Sequence, residues 1–136
     1  MIDAVDGLPA FSTPPAVAAP IGAYSHLAVT PPGAKLLVVA GQIGNRQDGT
    51  VAEGVEAQYE QALRNVAAIL QAGGAGPQHL IKLNTYLTQP LTPERAGAIR
   101  RAVFGAAVPP STLVYVAGLA RPNLLVEVEA MAVSPK

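Results

Sequence analysis

PPSTLVYVAGLARPNLLVEVEAMAV, residues 109–133, decides the fold, because it contains two apolar strands around a region rich in Gly, Pro and Asn. We predict that the two strands are neighbours in one sheet. Successive side chains of a strand point to opposite faces, so the second strand has one wholly apolar face and one that carries Glu127 and Glu129. Since charged groups are rarely buried alone, the acidic face is expected to border a cleft, another subunit or solvent.

The composition favours a single compact domain. A chain of 136 residues can bury about two-thirds of its unfolded surface. Half of the residues are hydrophobic and 13% are charged, which argues against disorder and suggests that oligomerisation hides part of the apolar excess. The net charge is zero without a run of Lys or Arg, which argues against a nucleic-acid partner.

Other function classes are disfavoured by residues that the chain lacks. Cysteine is absent and the two histidines are far apart in the sequence, so neither a disulfide nor a metal or other cofactor is expected. No leader pattern or membrane-spanning apolar segment is recognised, so we expect a cytoplasmic protein without a membrane partner.

The first half of the chain predicts two strands and a helix. Residues 1–20 are rich in Pro and are expected to form an extended lead-in without regular structure, followed by one domain at 21–136. Apolar runs at 24–30 and 35–43 flank a Pro-Pro-Gly turn and are expected to pair as a hairpin. A helical apolar pattern then continues to Gly73.

The second half adds two more elements before the final strands. Residues 79–88 alternate between apolar and polar side chains and predict a strand. Thr92 as N-cap and Pro93 at the first helical position open a second helix, which ends at Gly105. The order is β-β-α-β-α-β-β, an α+β class in which two helices pack on one face of a mixed sheet.

Five segments of the chain, taken together, resemble the Rid family, also called the YjgF family. They are PIGAYSH at 20–26, AGQIG at 40–44, QYEQALRNVAAILQAGG at 58–74, IKLNTYL at 81–87 and VEVEAMA at 126–132. The resemblance implies a chorismate-mutase-like fold, in which three subunits pack their sheets into a central β-barrel with clefts for small metabolites between neighbours.

The best-known members of that family hydrolyse enamines or imines such as 2-aminoacrylate to a keto acid and ammonia. Water attacks the iminium carbon, so the reaction requires a group that handles its proton. The resemblance implies that Glu127 is this proton handler, that Tyr24 is an orienting donor, and that Gly41 and Gln42 belong to the substrate cleft.

The chain departs from the family pattern at the substrate anchor. Family deaminases bind the substrate carboxylate with an arginine in a P-x-R-S segment, where this chain has Ser111, and Leu113 replaces a cleft cysteine. The guanidinium of such an arginine forms two parallel hydrogen bonds with a carboxylate, and their loss weakens binding of an anionic substrate by on the order of a few kcal/mol. We therefore interpret the chain as an imine or enamine hydrolase with altered specificity.

Several alternatives stay open. Arg100, Arg101 or Arg121 could replace the lost arginine from another direction. A non-catalytic homotrimer could bind a metabolite or a protein partner in the same clefts. RNA cleavage with inhibition of translation, an activity with which the family has also been labelled, is disfavoured by the neutral charge. Glu127 and Glu129 could act as paired carboxylates, although hydrogen bonding to a neighbouring subunit would also explain Glu129.

Overall fold

Residues 7–135 of a computed structural model are described. Positions 1–6 of the predicted lead-in and Lys136 of the predicted domain lie outside the described residues. The elements are β1 (Ala10–Ser12), β2 (Leu27–Val29), β3 (Leu36–Ile43), α1 (Val55–Ala72), β4 (Leu80–Leu87), α2 (Pro93–Phe104), β5 (Ser111–Tyr115) and β6 (Val126–Val133), with a 3₁₀ turn at Pro77–His79 before β4. The predicted α+β class is confirmed.

The main sheet is mixed and has the strand order β3-β6-β4-β5. Strand β6 is antiparallel to both of its neighbours, whereas β4 and β5 are parallel. A parallel pair needs a long crossover, which α2 provides. The prediction that the strands of 109–133 are neighbours is therefore wrong, because β4 lies between β5 and β6.

A second, two-stranded sheet corrects the prediction for the N-terminal part. Strand β2 pairs with β1, not with β3, so the predicted hairpin between 24–30 and 35–43 is wrong. The pairing also gives Ala10–Ser12 a regular structure that the Pro-rich composition of 1–20 did not indicate. Tyr24 lies in the loop before β2, because that strand begins only at Leu27.

The hydrophobic core lies between the two helices and one face of the main sheet, as predicted. Helix α1 packs on β3 and β6, and α2 packs beside α1. The predicted start of α2 and the predicted C-termini of both helices are confirmed: the Thr92 side chain accepts a hydrogen bond from Arg95 N, and Gly73 and Gly105 follow the last helical residues. The capping box that Thr50 and Glu53 predict for α1 is wrong, because Gly54 is the N-cap and no side chain caps this helix. The largest fully buried side chains are those of Tyr59, Leu63, Val66, Leu70, Leu80, Leu83, Leu87, Val126, Val128 and Val133.

Strand β6 alternates as the sequence predicts, and β4 does so from Leu83 to Leu87, but the predicted apolar position of Ile81 is wrong. In β6 the apolar positions are buried while Glu127, Glu129 and Met131 are half-buried on the other face. In β4 a bulge between Leu80 and Lys82 makes Ile81 the extra residue, so Leu80 takes the fully buried position instead. We call the face of the sheet away from the helices the outer face.

Candidate functional site

The residues predicted for the site divide between the two faces of the sheet. Glu127 pairs with Tyr86 across β6 and β4, and Tyr86 pairs with Val114 across β4 and β5, so their side chains share the outer face. Ser111 and Leu113 are an odd number of residues from Val114 in β5 and therefore lie on the helix side. Within one subunit, Glu127 is separated from Ser111 by the sheet itself.

Three of the predicted residues line one cavity on the helix side. Tyr24, Ser111 and Leu113 border a space of about 340 Å³ between the loop at 21–24, helix α2 and strand β5, which we call the helix-side cavity. Its remaining wall is apolar except for one tyrosine and one arginine: Ile21, Gly22, Leu91, Pro93, Ala96, Arg100 and Tyr115. A concave, mostly apolar space with a few polar groups is typical of a small-molecule site.

Tyr24 is fixed by its own loop. Its backbone N–H donates to Gly22 O at 3.0 Å, and its hydroxyl accepts a hydrogen bond from Ile21 N at 3.4 Å. Its ring packs edge-on against His26, whose Nε2 lies 2.7 Å from Ala18 O. Because the hydroxyl only accepts in these contacts, its proton remains available to a ligand.

Strand β5 contributes the side chains of Tyr115 and Ser111 to the cavity wall. Leu91 N donates to the Tyr115 hydroxyl at 3.1 Å, which ties the loop before α2 to the end of β5. Ser111 begins the strand, and its hydroxyl makes no hydrogen bond with any other residue of 7–135. A short side chain without a partner leaves both space and a hydrogen-bonding group at this wall.

Of the three arginines proposed from the sequence, Arg100 lines the helix-side cavity. It lies on α2 four residues after Ala96, on the same stripe of the helix. Arg101 is exposed, and Arg121 borders a separate cavity near Thr88 and Leu119.

The guanidinium of Arg100 approaches a buried phenol. Burial raises the pKa of Tyr59, while the charge of Arg100 and hydrogen bonds from Arg100 and Thr85 act in the opposite direction. Tyr59 is 1% exposed and belongs to the core. Arg100 therefore lies beside a core residue and also lines the helix-side cavity.

The two glutamates of the outer face differ in their hydrogen bonds. Glu129 Oε1 accepts from Tyr86 Oη at 2.6 Å and from Asn84 Nδ2 at 3.1 Å. The expected neighbouring subunit is therefore not needed to explain Glu129. The pKa of Tyr86 is raised, above all by this hydrogen bond to Glu129. Desolvation and the negative charges of Glu129 and Glu127 raise it further. Glu127 accepts no hydrogen bond from any residue of 7–135.

Gly41 and Gln42 lie in different surroundings although they are adjacent in β3. A bulge between Val39 and Gln42 places Gly41 against the side chain of Glu127. Gln42 pairs with Val128, and its Nε2 donates to Ala40 O at 3.1 Å. It borders a separate polar cavity beside α1, so within one subunit it is apart from both Glu127 and the helix-side cavity.

Residues 15–134 match the family model described as Endoribonuclease L-PSP. The chain belongs to this family, which is the Rid or YjgF family that its sequence resembles. A RutC family protein of Synechocystis is 36% identical over 121 residues, covering 86% of this chain and 90% of the relative.

Two solved structures extend the similarity to the Rid fold. The Rid family protein YyfB of Yersinia pestis has a TM-score of 0.81 and 27% identity, covering 92% of this chain and 98% of YyfB. Escherichia coli TdcF, solved with bound serine, has a TM-score of 0.66 and 27% identity, covering 84% of this chain and 90% of TdcF.

Several lining residues of this Rid family member, among them Pro93, Ala96 and Tyr115, were not proposed as site residues from the sequence, although Arg100 beside them was. Pro93, Ala96 and Arg100 follow one another at intervals of three and four residues, which places them on one stripe of α2. Tyr115 alternates with Leu113 and Ser111 in β5. These spacings would have found the wall, but only the packing shows that α2 and β5 enclose a space together.

Neither helix of residues 7–135 is long and apolar enough to cross a membrane. Within the same residues, no group of three or more His, Asp or Glu side chains is placed to hold a metal ion.

Proposed function

We propose that this protein is a cytoplasmic homotrimer that hydrolyses imines, enamines or related C–N compounds, with a specificity altered by Ser111. The observation that carries the proposal is the shared cavity of Tyr24, Ser111 and Leu113, three residues that the resemblance assigned to the substrate cleft. TdcF, a relative of similar fold, has been solved with serine, a ligand that carries both nitrogen and a carboxylate.

The separation of Glu127 from the cavity supports a site shared between subunits. Because these groups lie on opposite faces of one sheet, the outer face of one subunit must meet the helix-side cavity of another for both to contact one substrate. Strands β3 and β5 are the edges of the sheet, and they expose apolar side chains such as Val38 at 74% and Val114 at 41%. Exposed apolar edges favour further strand or subunit packing.

The proposed chemistry uses the cavity for binding and Glu127 for proton transfer. The iminium carbon lies at the mouth of the cavity, where the Tyr24 hydroxyl donates a hydrogen bond to the substrate. As water adds to this carbon, Glu127 takes one of its protons and a carbinolamine forms. Glu127 then returns the proton to the nitrogen and accepts the hydroxyl proton of the carbinolamine as the C–N bond breaks. It passes this proton to the departing ammonia, so a carbonyl compound and ammonium leave.

The test is hydrolysis of imino acids generated in situ by an amino-acid oxidase, with acidic, neutral and aromatic side chains. We expect turnover above the uncatalysed rate, lowered by about a hundredfold or more in Glu127→Gln. Glu129→Gln is the matched control, because it changes the neighbouring carboxylate of the same strand face and should retain turnover. Background rates with all substrates would contradict the proposal, as would equal rates in Glu127→Gln.

The trimer has a test of its own. Light scattering at micromolar protein should give about three times the chain mass of 13.9 kDa. A monomeric mass would contradict the shared site, since Glu127 could then not reach a substrate in the cavity of a neighbour.

A non-catalytic metabolite-binding or partner-binding trimer is the second candidate. Ser111 at the position of the family arginine favours it, because loss of an anchor is tolerated where no turnover is required. A ligand that raises the melting temperature, without turnover of any imine, would support this candidate over the hydrolase.

The family description also names endoribonucleases, but the charge of this chain argues against RNA as substrate. Nine Lys and Arg residues balance nine Asp and Glu residues, so the salt-dependent phosphate attraction has no evident source. We expect no RNA binding at micromolar protein. RNA binding with a steep dependence on salt concentration would instead support RNA as a substrate.

A further inference from the structure

We infer that Arg100 is the anion anchor of the helix-side cavity, so that the substrate is an imino acid whose carboxylate binds at α2 instead of at β5. The inference rests on the proposed function, because it names the substrate class of the same site. It assigns to Arg100 the binding role that Ser111 cannot perform.

The first argument is the missing counter-ion of Arg100. Arg64 and Arg95 pair with Glu60 at 3.0 Å and Glu56 at 2.9 Å, and both arginine side chains are more than half exposed. Arg100 is half-buried and forms no ion pair with any carboxylate of residues 7–135. A partly desolvated cation without a counter-ion is unfavourable, so an anionic ligand in the cavity would be stabilised there.

The second argument is that the guanidinium has donors to spare. The Tyr59 hydroxyl lies beside it on the core side, and Tyr59 itself is fully buried. Arginine has five N–H donors in a planar fork, and one phenol oxygen cannot satisfy them all. The donors that remain can form the paired hydrogen bonds that a carboxylate accepts.

The third argument is the chemistry of the opposite walls. Leu91, Pro93 and Leu113 provide apolar surface, and Tyr115 adds an aromatic ring. Ser111 is short, so the β5 wall leaves room for a side chain where a longer residue would fill the space. A substrate with its carboxylate on Arg100 therefore places an apolar or aromatic side chain toward β5, and we expect acidic imino acids to be poor substrates.

The test measures binding of stable 2-oxo acids, which carry the same carboxylate as the imino acids. Phenylpyruvate, 2-oxoisovalerate and pyruvate are titrated by calorimetry into the wild type, Arg100→Gln and Arg101→Gln, with phenylpyruvamide as the uncharged probe. Arg101 is the matched control, because it is the exposed arginine next in the same helix. We expect Arg100→Gln to weaken phenylpyruvate binding by about tenfold to about a hundredfold, and Arg101→Gln to leave it unchanged.

Two further readouts separate a charge effect from damage to the fold. Arg100→Gln should bind phenylpyruvamide within about threefold of the wild type, since the amide has no charge to lose. Arg100→Lys should recover part of the affinity because it keeps the charge without the fork, and it serves as the test variant if Arg100→Gln does not fold. Equal affinity of the wild type and Arg100→Gln for phenylpyruvate would overturn the inference. Equal losses for the acid and the amide, or no binding of any 2-oxo acid to the wild type, would also overturn it.

Failure of the anchor and failure of the hydrolase give different results. If 2-oxo acids bind through Arg100 while no imine is turned over, the anchor stands and the hydrolase proposal fails. If turnover depends on Glu127 but Arg100→Gln leaves KM for phenylalanine-derived imine unchanged, the hydrolase stands and the anchor is wrong.

Discussion

The carboxyl group of Glu127 lies directly against the backbone of Gly41, at the bulge of β3. A Cβ atom at residue 41 would be 2.8 Å from Cδ of Glu127, a separation that side chains do not adopt. The backbone of Gly41 does not have a positive φ. Glycine is therefore needed at this position for the space that it leaves to Glu127, and not for an unusual backbone conformation. The position of the proposed proton-transfer group therefore depends on glycine at residue 41.

Gly41→Ala should lower turnover without unfolding the protein. The added methyl group displaces the flexible end of Glu127, and a misplacement of about 1 Å can lower a rate by about a hundredfold. The melting temperature should change little, because the displaced carboxylate is only half-buried. Gly118→Ala is the control, since no heavy atom lies within 4 Å of a Cβ there. Unchanged kcat in Gly41→Ala would contradict the role of Glu127.

Helix ends and strand faces could be predicted because their signals are local. Gly73, the Thr92–Pro93 pair and Gly105 mark helix ends through their own backbone preferences, and alternation in β6 identifies its buried face. The order of strands in the sheet could not be read in the same way. Strand β5 is an exposed edge that pairs in parallel with β4, and nothing within 109–133 indicates that β4 separates it from β6.

The candidate site was predictable in part. Tyr24, Ser111 and Leu113 line one cavity within a single subunit, whereas the family resemblance implied clefts between subunits, so their role in a substrate cleft stays a prediction. The separation of Glu127 from that cavity depends on the register of β4 against both neighbours, which side-chain patterns do not determine. Arg100 could be proposed from the sequence but not preferred over Arg101, because one helical residue changes which side of α2 an arginine occupies.

Gln58→Ala should destabilise the fold and weaken the attachment of the loop before β6 to α1. Gln58 Nε2 donates to Ala52 O at 3.0 Å and to Asn123 O at 2.9 Å, and Leu125 N donates to its Oε1 at 2.8 Å. Removal leaves three backbone groups without this partner and should lower the free energy of unfolding by about 3 kcal/mol. Urea unfolding measures the change.

The control for Gln58 is Gln71→Ala, an exposed glutamine of the same helix. This change should stay within about 0.5 kcal/mol of the wild type. If both variants unfold at the same urea concentration, the three hydrogen bonds of Gln58 do not stabilise the loop before β6.

Stability at alkaline pH should depend on Tyr86. Its pKa is raised above the usual value of about 10, above all by the hydrogen bond to Glu129, so the folded state holds this proton more tightly than the unfolded state. The contribution to stability is complete below about pH 10 and is lost as the pH rises through the raised pKa. From about pH 10 upward, the free energy of unfolding should fall more steeply for the wild type than for Tyr86→Phe. Parallel curves would show that the contact with Glu129 has no influence on folding.

Ser111→Arg should move the substrate carboxylate back to β5. A guanidinium at residue 111 lies on the same cavity as Arg100, so it should restore turnover of small anionic imines to an Arg100→Gln background by about tenfold or more. It should also lower turnover of aromatic imines, because the longer side chain fills the space beside Leu113. Ser111→Gln separates the two effects, since it fills similar space without a charge and should lower aromatic turnover without the rescue. If the folded, trimeric double variant gains no activity on small imines, the other departures from the family pattern, such as Leu113, also limit this chemistry.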